Sequence, residues 1–344
     1  MIKIRRNDKR FISQRGVDSG IVFVRITRMN TFARKFTTRS FTLTLAGLFA
    51  TLAWAACAAP GAPPAKKILV FTKSSGFQHD VIKRTNENLS FAEKILKQMG
   101  ETNNLDFTFT KDGTLITADN IAKYDAFLFY TTGNLTTTGT DRNPPMTDEG
   151  KAAFLAAIQQ GKGFIGVHSA TDTFHSPGNV VLSEASINNG STRLDPYIQM
   201  IGGEFVMHGD QQKAPQICAD HKFPGLAAMP ADFGPMEEWY TFKNYAADLH
   251  VILAQDTTNM KKVGNNHWYD RPNFPSTWAH LYGKGHVFYT SMGHREDVWT
   301  NPVFQQVLLG GINWAVGNVE ADVTPNLKEV SPEAYKPAPP APPR

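Results

Sequence analysis

The stretch GFIGVHSATD, residues 163–172, decides the fold of this chain. Its first half is a short apolar run that follows a helix-like segment, which is typical of a buried parallel strand. Its second half is polar where an apolar chain should turn. In open α/β sheets, ligands bind outside the carboxyl ends of the strands. The stretch therefore predicts a strand that delivers a base, a hydroxyl and a carboxylate to a site, although Ser169 or Thr171 as a helix N-cap explains the polar residues equally well.

Strand-like and helix-like segments alternate before this stretch. Strands are predicted at residues 67–72, 105–110 and 126–130, and helices from Asp80 to about Met99, at 118–124 and from Thr147. This alternation implies parallel pairing with right-handed crossovers. The later residues predict a helix at 197–201, strands at 215–219, 237–242 and 251–254, a hairpin of 276–281 with 286–290, and a helix from Asn301. We expect an α/β fold with a doubly wound, mainly parallel sheet in three layers.

The charge of the chain is concentrated at its N-terminus. The first 57 residues hold 11 Lys or Arg and 2 Asp, which leaves 24 basic and 29 acidic residues for the remainder. The formal charge of +4 therefore predicts no nucleic-acid partner. Basic residues up to Arg39 precede an uncharged run at 41–56, which is too short for a comfortable membrane span. Ala56-Cys57-Ala58, at the end of this run, is typical of a cleavage site. We expect residues 1–58 to be an export signal, with 1–28 an over-long gene start.

Cys57 supports a second interpretation of the same segment, as a lipid-modified cysteine. Small residues precede Cys57 and a Pro/Ala-rich tether at 59–65 follows it, but Trp54 stands where Leu is usual. The protein is expected in the periplasm or outside the cell, and any membrane contact is expected only through a lipid anchor at Cys57. Cys57 and Cys218 are the only cysteines, so no disulfide framework is expected.

The folded part is expected to be one domain, residues 66–320. A domain of that size buries most of its apolar surface without covalent cross-links. Residues 321–344 end in PAPPAPPR and are expected to be a Pro-rich disordered tail. Nothing in the sequence indicates the oligomeric state.

Several separated motifs resemble the ThuA-like (trehalose utilisation) family. They are ILVFTKSSGFQHD, GKGFIGVHSATDTF, MIGGEF followed by His208, and WAHLYGKGHVFYTSMGHREDVW with GGINWAVGN after it. The resemblance spans about residues 66–317. It implies a flavodoxin-like fold similar to that of class I glutamine amidotransferases, and it implies a role in sugar utilisation.

The resemblance to the amidotransferase fold also makes a prediction about activity. Those enzymes carry a nucleophilic cysteine on the turn after a central strand and a histidine after a late strand. Here that turn carries His168 and Ser169, and Cys218 lies outside both motifs, so no glutamine amidotransferase activity is expected. His294 follows the late strand. Ser169 as nucleophile, activated by His294, is a further hypothesis, although the turn lacks the second glycine of a nucleophile elbow.

Imidazoles and carboxylates near predicted strand ends form the candidate site. These residues are His79, His168, Asp172, His208, Glu238 and His294. The strands that precede His79 and His168 are expected to be neighbours, which would bring both rings into one cleft. Such groups suit general acid–base transfer near neutral pH. They also suit a divalent metal, for which His79, His168 and His294 are the candidate ligands. For each histidine alone, hydrogen-bonded packing at a strand end is the competing interpretation.

The first functional hypothesis is an exported enzyme that acts on a sugar or sugar derivative by acid–base chemistry. His168 and His294 would transfer protons, and Asp172 and Glu238 would orient them. Substrate would contact four residues: His79, Ser169, His208 and Trp239. Aromatic faces beside polar groups suit sugar rings. The alternatives are a non-catalytic carbohydrate-binding module and a metal-dependent hydrolase.

The remaining expectations concern cofactors and neighbouring residues. Gly202-Gly203 has neither the spacing nor the position of a phosphate cradle, so no nucleotide cofactor is expected, and a divalent metal is left open. The expected partner is a small carbohydrate. Only one of Glu237 and Glu238 can face the cleft, because adjacent strand residues point to opposite faces. The other six histidines are expected to be ordinary: His175, His221, His250, His267, His280 and His286.

Overall fold

The fold is seen in a computed structural model, which describes residues 64–86, 88–177 and 193–336. These residues lie in one compact unit, Gly61–Arg344. The predicted export signal, its cleavage site, Cys57 and most of the tether lie outside the described residues, and so does the segment 178–192.

The strands of the described residues form one large sheet and two small ones. They are β1 (Lys66–Phe71), β2 (Leu105–Thr110), β3 (Ala126–Phe129), β4 (Gly163–Val167), β5 (Glu204–His208), β6 (Gln212–Lys213), β7 (Gln216–Cys218), β8 (Met236–Glu237), β9 (Tyr240–Lys243), β10 (His250–Gln255), β11 (Phe274–Tyr282) and β12 (Gly285–Thr290). The large sheet has the order β2-β1-β3-β4-β12-β11-β10-β7, and the small sheets pair β5 with β9 and β6 with β8.

The helices of the described residues connect and flank these strands. They are α1 (Phe91–Asn103), α2 (Ala118–Ile121), α3 (Asp148–Gln159), α4 (Pro196–Ile201), α5 (Glu296–Trp299), α6 (Pro302–Ala315) and α7 (Leu327–Val330). Short 3-10 turns occur at Asp80–Ile82, Gly113–Leu115, His168–Asp172 and Gly264–Tyr269. None of the described helices combines the length and the apolar character that crossing a membrane requires.

The parallel half of the sheet confirms the predicted α/β class. β2, β1, β3, β4 and β12 pair in parallel, and β11, β10 and β7 add antiparallel pairings. The expected adjacency of β1 and β4 is wrong, because β3 lies between them. β4 instead pairs with β12, so the strands that precede His168 and His294 are direct neighbours.

Two apolar cores cover the two faces of the sheet and make the three layers. The side chains of β1 alternate between them: Ile68 and Val70 pack into the core that contains α1 and α6. Leu69 and Phe71 pack into the core that contains α3, α4 and α7. This alternation follows from the two-residue repeat of a strand, and it buries both faces of the sheet.

The helix predicted from Asp80 begins later than expected. Ser90 caps α1, because its side chain accepts from the N–H of Glu93 while the Glu93 carboxylate accepts from the N–H of Ser90. This reciprocal capping box fixes the start of a helix. Asn86 has a φ of 53°, which a right-handed helix excludes. Asp80 therefore opens only a 3-10 turn, and a loop separates it from α1.

The predicted disordered tail is wrong for residues 321–336. Leu327 and Ala334 are buried in the core beside the sheet. The Asn326 side chain accepts from the N–H of Val251 in β10 at 2.6 Å. The guanidinium of Arg271 donates to the Ala334 carbonyl at 2.6 Å. This part of the chain is an ordered strap on the sheet, and residues 337–344 lie outside the described residues.

Candidate functional site

Four of the predicted residues meet above the carboxyl ends of the parallel strands. His79 follows β1, His168 follows β4, His294 follows β12, and Glu238 lies between β8 and β9. One ligand atom from each of the four lies within 4.8 Å of the others. Residues separated by more than 200 positions therefore form one cluster, which we call the His–Glu cluster.

His168 is the most constrained member of the cluster. It lies on the sharp turn between β4 and a 3-10 turn, with a φ of 47°, a left-handed conformation that is strained for a non-glycine residue. Its side chain is 0% exposed, and its Nδ1 donates to the Ser291 carbonyl at 2.7 Å. The lone pair on Nε2 therefore faces the cluster. Burial lowers the pKa of His168 to about 3, which keeps the ring neutral.

His294 is held by a chain of polar side chains. Its Nδ1 lies 3.1 Å from Oε2 of Glu238. The Gln211 amide donates to its Nε2 at 3.0 Å, and Arg295 in turn donates to the Gln211 oxygen at 2.7 Å. This arrangement places the His294 proton on Nδ1. Burial alone would lower the pKa of His294, but the adjacent Glu238 carboxylate raises it above its ordinary value.

His79 completes the set of imidazoles. Its Nε2 lies 3.9 Å from Oε2 of Glu238 and 3.4 Å from the Tyr240 hydroxyl. Its Nδ1 is buried and has no hydrogen-bond partner within residues 64–86, 88–177 and 193–336. Burial lowers the pKa of His79, so this ring too favours the neutral form.

The spacing inside the cluster is loose for hydrogen bonds. Nε2 of His168 lies 3.5 Å from Oε2 of Glu238 and 3.4 Å from Nδ1 of His294. Protein hydrogen bonds between such atoms are usually about 2.7–3.2 Å long. Tetrahedral ligands about 2.0–2.2 Å from a Zn²⁺ ion stand about 3.3–3.6 Å from one another. These two separations match the edges of a tetrahedral metal site, whereas the 3.1 Å between His294 and Glu238 is a hydrogen-bond length and the 3.9 Å between His79 and Glu238 exceeds both ranges.

Glu238 and Glu237 have different roles, as expected for adjacent residues. Burial opposes ionisation of Glu238, but the imidazoles around it hold its pKa far below the usual range. Glu237 is fully buried and accepts from the N–H groups of Gly293 at 2.8 Å, His294 at 3.2 Å and Glu238 at 2.8 Å. Burial raises the pKa of Glu237 to about 7, although these N–H groups favour its carboxylate. Glu237 thus fixes the backbone that carries two members of the cluster.

His208 lies at the mouth of the cluster. Its side chain is 37% exposed, and its Nδ1 is 3.4 Å from Oε1 of Glu238. The same Nδ1 donates to the carbonyl of Gly209 at 2.9 Å. A cavity of about 520 Å³ borders His294 and Gln211, and His208 is not part of its wall. A small molecule in this cavity would reach the exposed edge of the cluster.

Asp172 does not join the cluster, contrary to the prediction. Its Oδ1 accepts from Nε2 of His175 at 2.6 Å, and Nδ1 of His175 donates to Oε1 of Glu204 at 3.0 Å. Asp172 comes at the end of the 3-10 turn that starts at His168, and its carboxylate pairs with His175 instead of with a cluster imidazole. His175, which was expected to be ordinary, links the turn to β5 through two carboxylates.

Two of the predicted substrate contacts are buried side chains. Trp239 is 1% exposed, and its indole N–H donates to the Gln212 carbonyl at 2.9 Å, so it belongs to the core. Ser169 is fully buried, and its Oγ has no hydrogen-bond partner in the described part of the chain. Neither side chain can touch a substrate in this arrangement. Cys218 lies in β7 at the edge of the sheet, whereas the cluster stands over its middle.

Sequence reasoning missed the residues that hold the cluster in place. Gln211, Tyr240 and the backbone carbonyl of Ser291 contact its imidazoles. Gln211 and Tyr240 come from segments without a recognisable motif, and Ser291 acts through its backbone, which its residue type does not reveal. The contact between Asp172 and His175, outside the cluster, could have been predicted from the sequence, because residues three apart share one face of a helical turn.

Comparison with known proteins agrees with this fold. The sequence profile of the ThuA family, described as trehalose utilisation, matches residues 67–315. The fold is similar to that of a ThuA-like protein from Bacteroides uniformis ATCC 8492, with 20% identity and a TM-score of 0.54 over 79% of this chain and 99% of that one. A ThuA-like protein from Parabacteroides merdae ATCC 43184 has 16% identity and a TM-score of 0.51 over 76% and 93%.

These two structures share the fold at low identity and carry no residue roles over to this chain. None of the curated proteins compared with the chain matches it. The profile match covers well over half of the sequence and includes the residues that contribute every member of the His–Glu cluster. The chain therefore belongs to the ThuA (trehalose utilisation) family.

Proposed function

We propose that this protein is a metal-dependent enzyme that acts on a sugar or sugar derivative. The observation that carries the proposal is the convergence of three imidazoles and one carboxylate, with ligand atoms within 4.8 Å of one another. Imidazole and carboxylate ligands suit Zn²⁺ and similar divalent ions. The family description, trehalose utilisation, supports a sugar as the substrate.

The state of the His168 ring supports ligation by this cluster, whereas His294 would have to give up its proton on Nδ1 before that nitrogen could bind an ion. A ligating histidine needs a neutral ring whose other nitrogen donates to a carbonyl or carboxylate, because that contact fixes the tautomer. His168 meets both requirements through Ser291. His168 is thus better placed as a ligand than as the proton donor that the sequence predicted, since its buried ring cannot reach a substrate.

His79, His168, His294 and Glu238 would hold the ion. A divalent ion there could polarise a substrate oxygen as a Lewis acid only by taking a fifth ligand, because the four protein groups fill a tetrahedron. His208 is the imidazole placed for proton transfer, because it is exposed at the mouth and is oriented by the Gly209 carbonyl. Glu237 would keep His294 and Glu238 in position through the backbone.

A metal-free acid–base enzyme is the second candidate. The short contact between Nδ1 of His294 and Oε2 of Glu238, at 3.1 Å, favours it, because within the cluster this contact alone has hydrogen-bond length and His294 borders the cavity. In that case His294 would exchange protons with the substrate and Glu238 would stabilise the charged ring.

One experiment separates these candidates. Purified protein is treated with chelator, titrated with Zn²⁺ by calorimetry, and assayed with mono- and disaccharides and their 3-keto derivatives. We expect one bound ion per chain and turnover that depends on it. His294→Ala and Glu238→Gln should lose both, whereas His267→Ala, which changes a histidine outside the cluster, should lose neither. Full turnover after chelation would favour the acid–base dyad, and sugar binding without turnover would favour a binding module.

Export is a separate proposal that rests on sequence alone. Basic residues before an uncharged run and the Ala56-Cys57-Ala58 site support it. The mass of the mature protein would locate the cleavage site. Cleavage next to Cys57 with an added lipid mass supports an anchored form, cleavage without lipid supports a periplasmic or extracellular one, and an uncleaved chain in the cytoplasm contradicts export.

A further inference from the structure

A large aromatic side chain stands exposed beside the His–Glu cluster. Phe77 is 69% exposed, and it lines the cavity of about 520 Å³ that borders His294. Its ring packs edge-on against the ring of His79, with centroids 5.0 Å apart and an interplanar angle of 83°. Single exposed apolar side chains are common on protein surfaces, but this ring lines a cavity and packs on a member of the cluster, which makes it a candidate contact surface.

The loop that carries Phe77 is held rigidly. The Thr132 hydroxyl donates to the carbonyl of Phe77 at 2.7 Å, and the Thr132 carbonyl accepts from the N–H of Ser75 at 2.8 Å. The Thr140 hydroxyl donates to the Gly76 carbonyl at 2.8 Å. Because these contacts fix the backbone on both sides of the ring, the aromatic face is preorganised before a ligand arrives.

Apart from Val81, the rest of the cavity wall is polar, and its carboxylates outnumber its guanidinium groups. Asp80, Glu296 and Asp297 contribute carboxylates, and Arg295 contributes a guanidinium that pairs with Asp297 at 2.8 Å. An excess of carboxylates disfavours an anionic ligand, because like charges repel in a partly enclosed space. Carboxylates and a guanidinium are good partners for hydroxyl groups, which donate to the former and accept from the latter.

We propose that this cavity is a subsite for an uncharged sugar ring that stacks on Phe77, with Asp80 and Arg295 hydrogen-bonding its hydroxyls. The apolar C–H face of a sugar matches an aromatic face, and its hydroxyl edge matches the surrounding polar groups. Phe77 would thus provide the aromatic contact with the sugar that the sequence assigned to Trp239, which is buried. This inference rests on the proposed sugar specificity, but it does not depend on the bound metal.

The position of the subsite gives it a function in the proposed reaction. A ring stacked on Phe77 lies next to His79 and His294, so its neighbouring bond would approach the exposed edge of the cluster. Sugars that carry a phosphate or a carboxylate would be rejected by the acidic wall. The subsite therefore selects neutral sugar units and positions them against the cluster.

Binding of trehalose, glucose and trehalose 6-phosphate to the protein, measured by calorimetry, tests this inference. We expect trehalose to bind more tightly than its phosphate, and Phe77→Ala to weaken trehalose binding about 5- to 30-fold, since loss of the stacking surface removes on the order of 1–2 kcal/mol. Phe77→Trp should retain the affinity. Leu281→Ala, at a side chain 47% exposed at the opposite end of the sheet, should have no effect.

Metal binding and thermal unfolding of the same variants keep the two proposals apart. Phe77→Ala should bind Zn²⁺ and unfold like the original protein, because the ring is exposed and is not a ligand. Equal trehalose affinity in Phe77→Ala and the original protein would overturn the subsite, as would tighter binding of trehalose 6-phosphate or no binding of either neutral sugar. Phe77-dependent trehalose binding without any metal binding would leave the subsite standing and overturn the metal proposal.

Discussion

The Nδ1 atom of His168 lies 2.7 Å from the carbonyl oxygen of Ser291. This bond joins the end of β4 to the end of β12, the two neighbouring strands that lead into His168 and His294. Because a carbonyl only accepts, the proton stays on Nδ1 and the Nε2 lone pair points into the cluster. The backbone of one strand thus sets the tautomer of a side chain on the other.

The left-handed conformation of His168 gives the first prediction. Both His168→Gly and His168→Ala should lower Zn²⁺ affinity at least about 100-fold, more than the usual effect of losing an outer-shell partner. In metal-free protein His168→Gly should be more stable than His168→Ala by about 1 kcal/mol, because alanine is strained at a φ of 47°. Urea unfolding measures the difference, and a more stable alanine variant would contradict the assigned backbone conformation.

Glu237 should hold the backbone of His294 and Glu238 in position through its carboxylate. Glu237→Gln replaces one accepting oxygen with an N–H donor that faces backbone N–H groups of Glu238, Gly293 and His294. We expect the free energy of unfolding to fall by about 1–3 kcal/mol and Zn²⁺ affinity to fall about 10-fold. Glu149→Gln, in the exposed first turn of α3, is the matched control. Unchanged affinity would show that Glu237 does not position the ligands.

The ion-paired His175 should make the free energy of unfolding depend on pH. Burial opposes its charge, but Asp172 and Glu204 raise the pKa of His175 to about 9. Because the folded pKa lies above the unfolded value of about 6.5, this stabilisation is complete below pH 6.5 and is lost as the pH rises through about 9. The loss should amount to roughly 3–3.5 kcal/mol. His175→Gln should remove it, so parallel unfolding curves for both proteins from pH 6 to 10 would contradict the ion-paired histidine.

The strap formed by residues 321–336 should contribute to stability. Leu327→Ala should lower the free energy of unfolding by about 2–4 kcal/mol, because it opens a cavity in the core beside the sheet. Val319→Ala, at a side chain that is 38% exposed, should change it by less than about 0.5 kcal/mol. Denaturant unfolding of both variants compares them, and equal values would restore the prediction of a disordered tail.

The sequence predicted the fold more completely than it predicted the site. Apolar runs that alternate with helix-like segments predicted the parallel strands. The polar residues after those strands predicted that His79, His168 and His294 belong to the site. The strand order was only partly predictable, since local patterns do not record that β3 lies between β1 and β4. The helix start at Ser90 was missed because Asp80 is also a good N-cap residue. The capping box that Ser90 forms with Glu93 distinguishes the two positions.

The errors at the site have a common physical cause. Asp172 and Trp239 were assigned by residue type, but a turn and a strand decide which way a side chain points. Asp172 turns to His175, and Trp239 enters the core. The exposed Phe77 was not singled out, because nothing in a sequence distinguishes an exposed aromatic residue from a buried one.

X-ray absorption of the Zn²⁺-loaded protein tests the metal site most directly. The account predicts one ion per chain with about four nitrogen and oxygen ligands at roughly 2.0–2.2 Å, three of them imidazoles, and no sulfur. In Glu238→Gln and His294→Ala the ligand set should change or the ion should be lost. A Zn–S distance of about 2.3 Å, or a spectrum of hydrated Zn²⁺ without imidazole scattering, would contradict a metal centre built from His79, His168, His294 and Glu238.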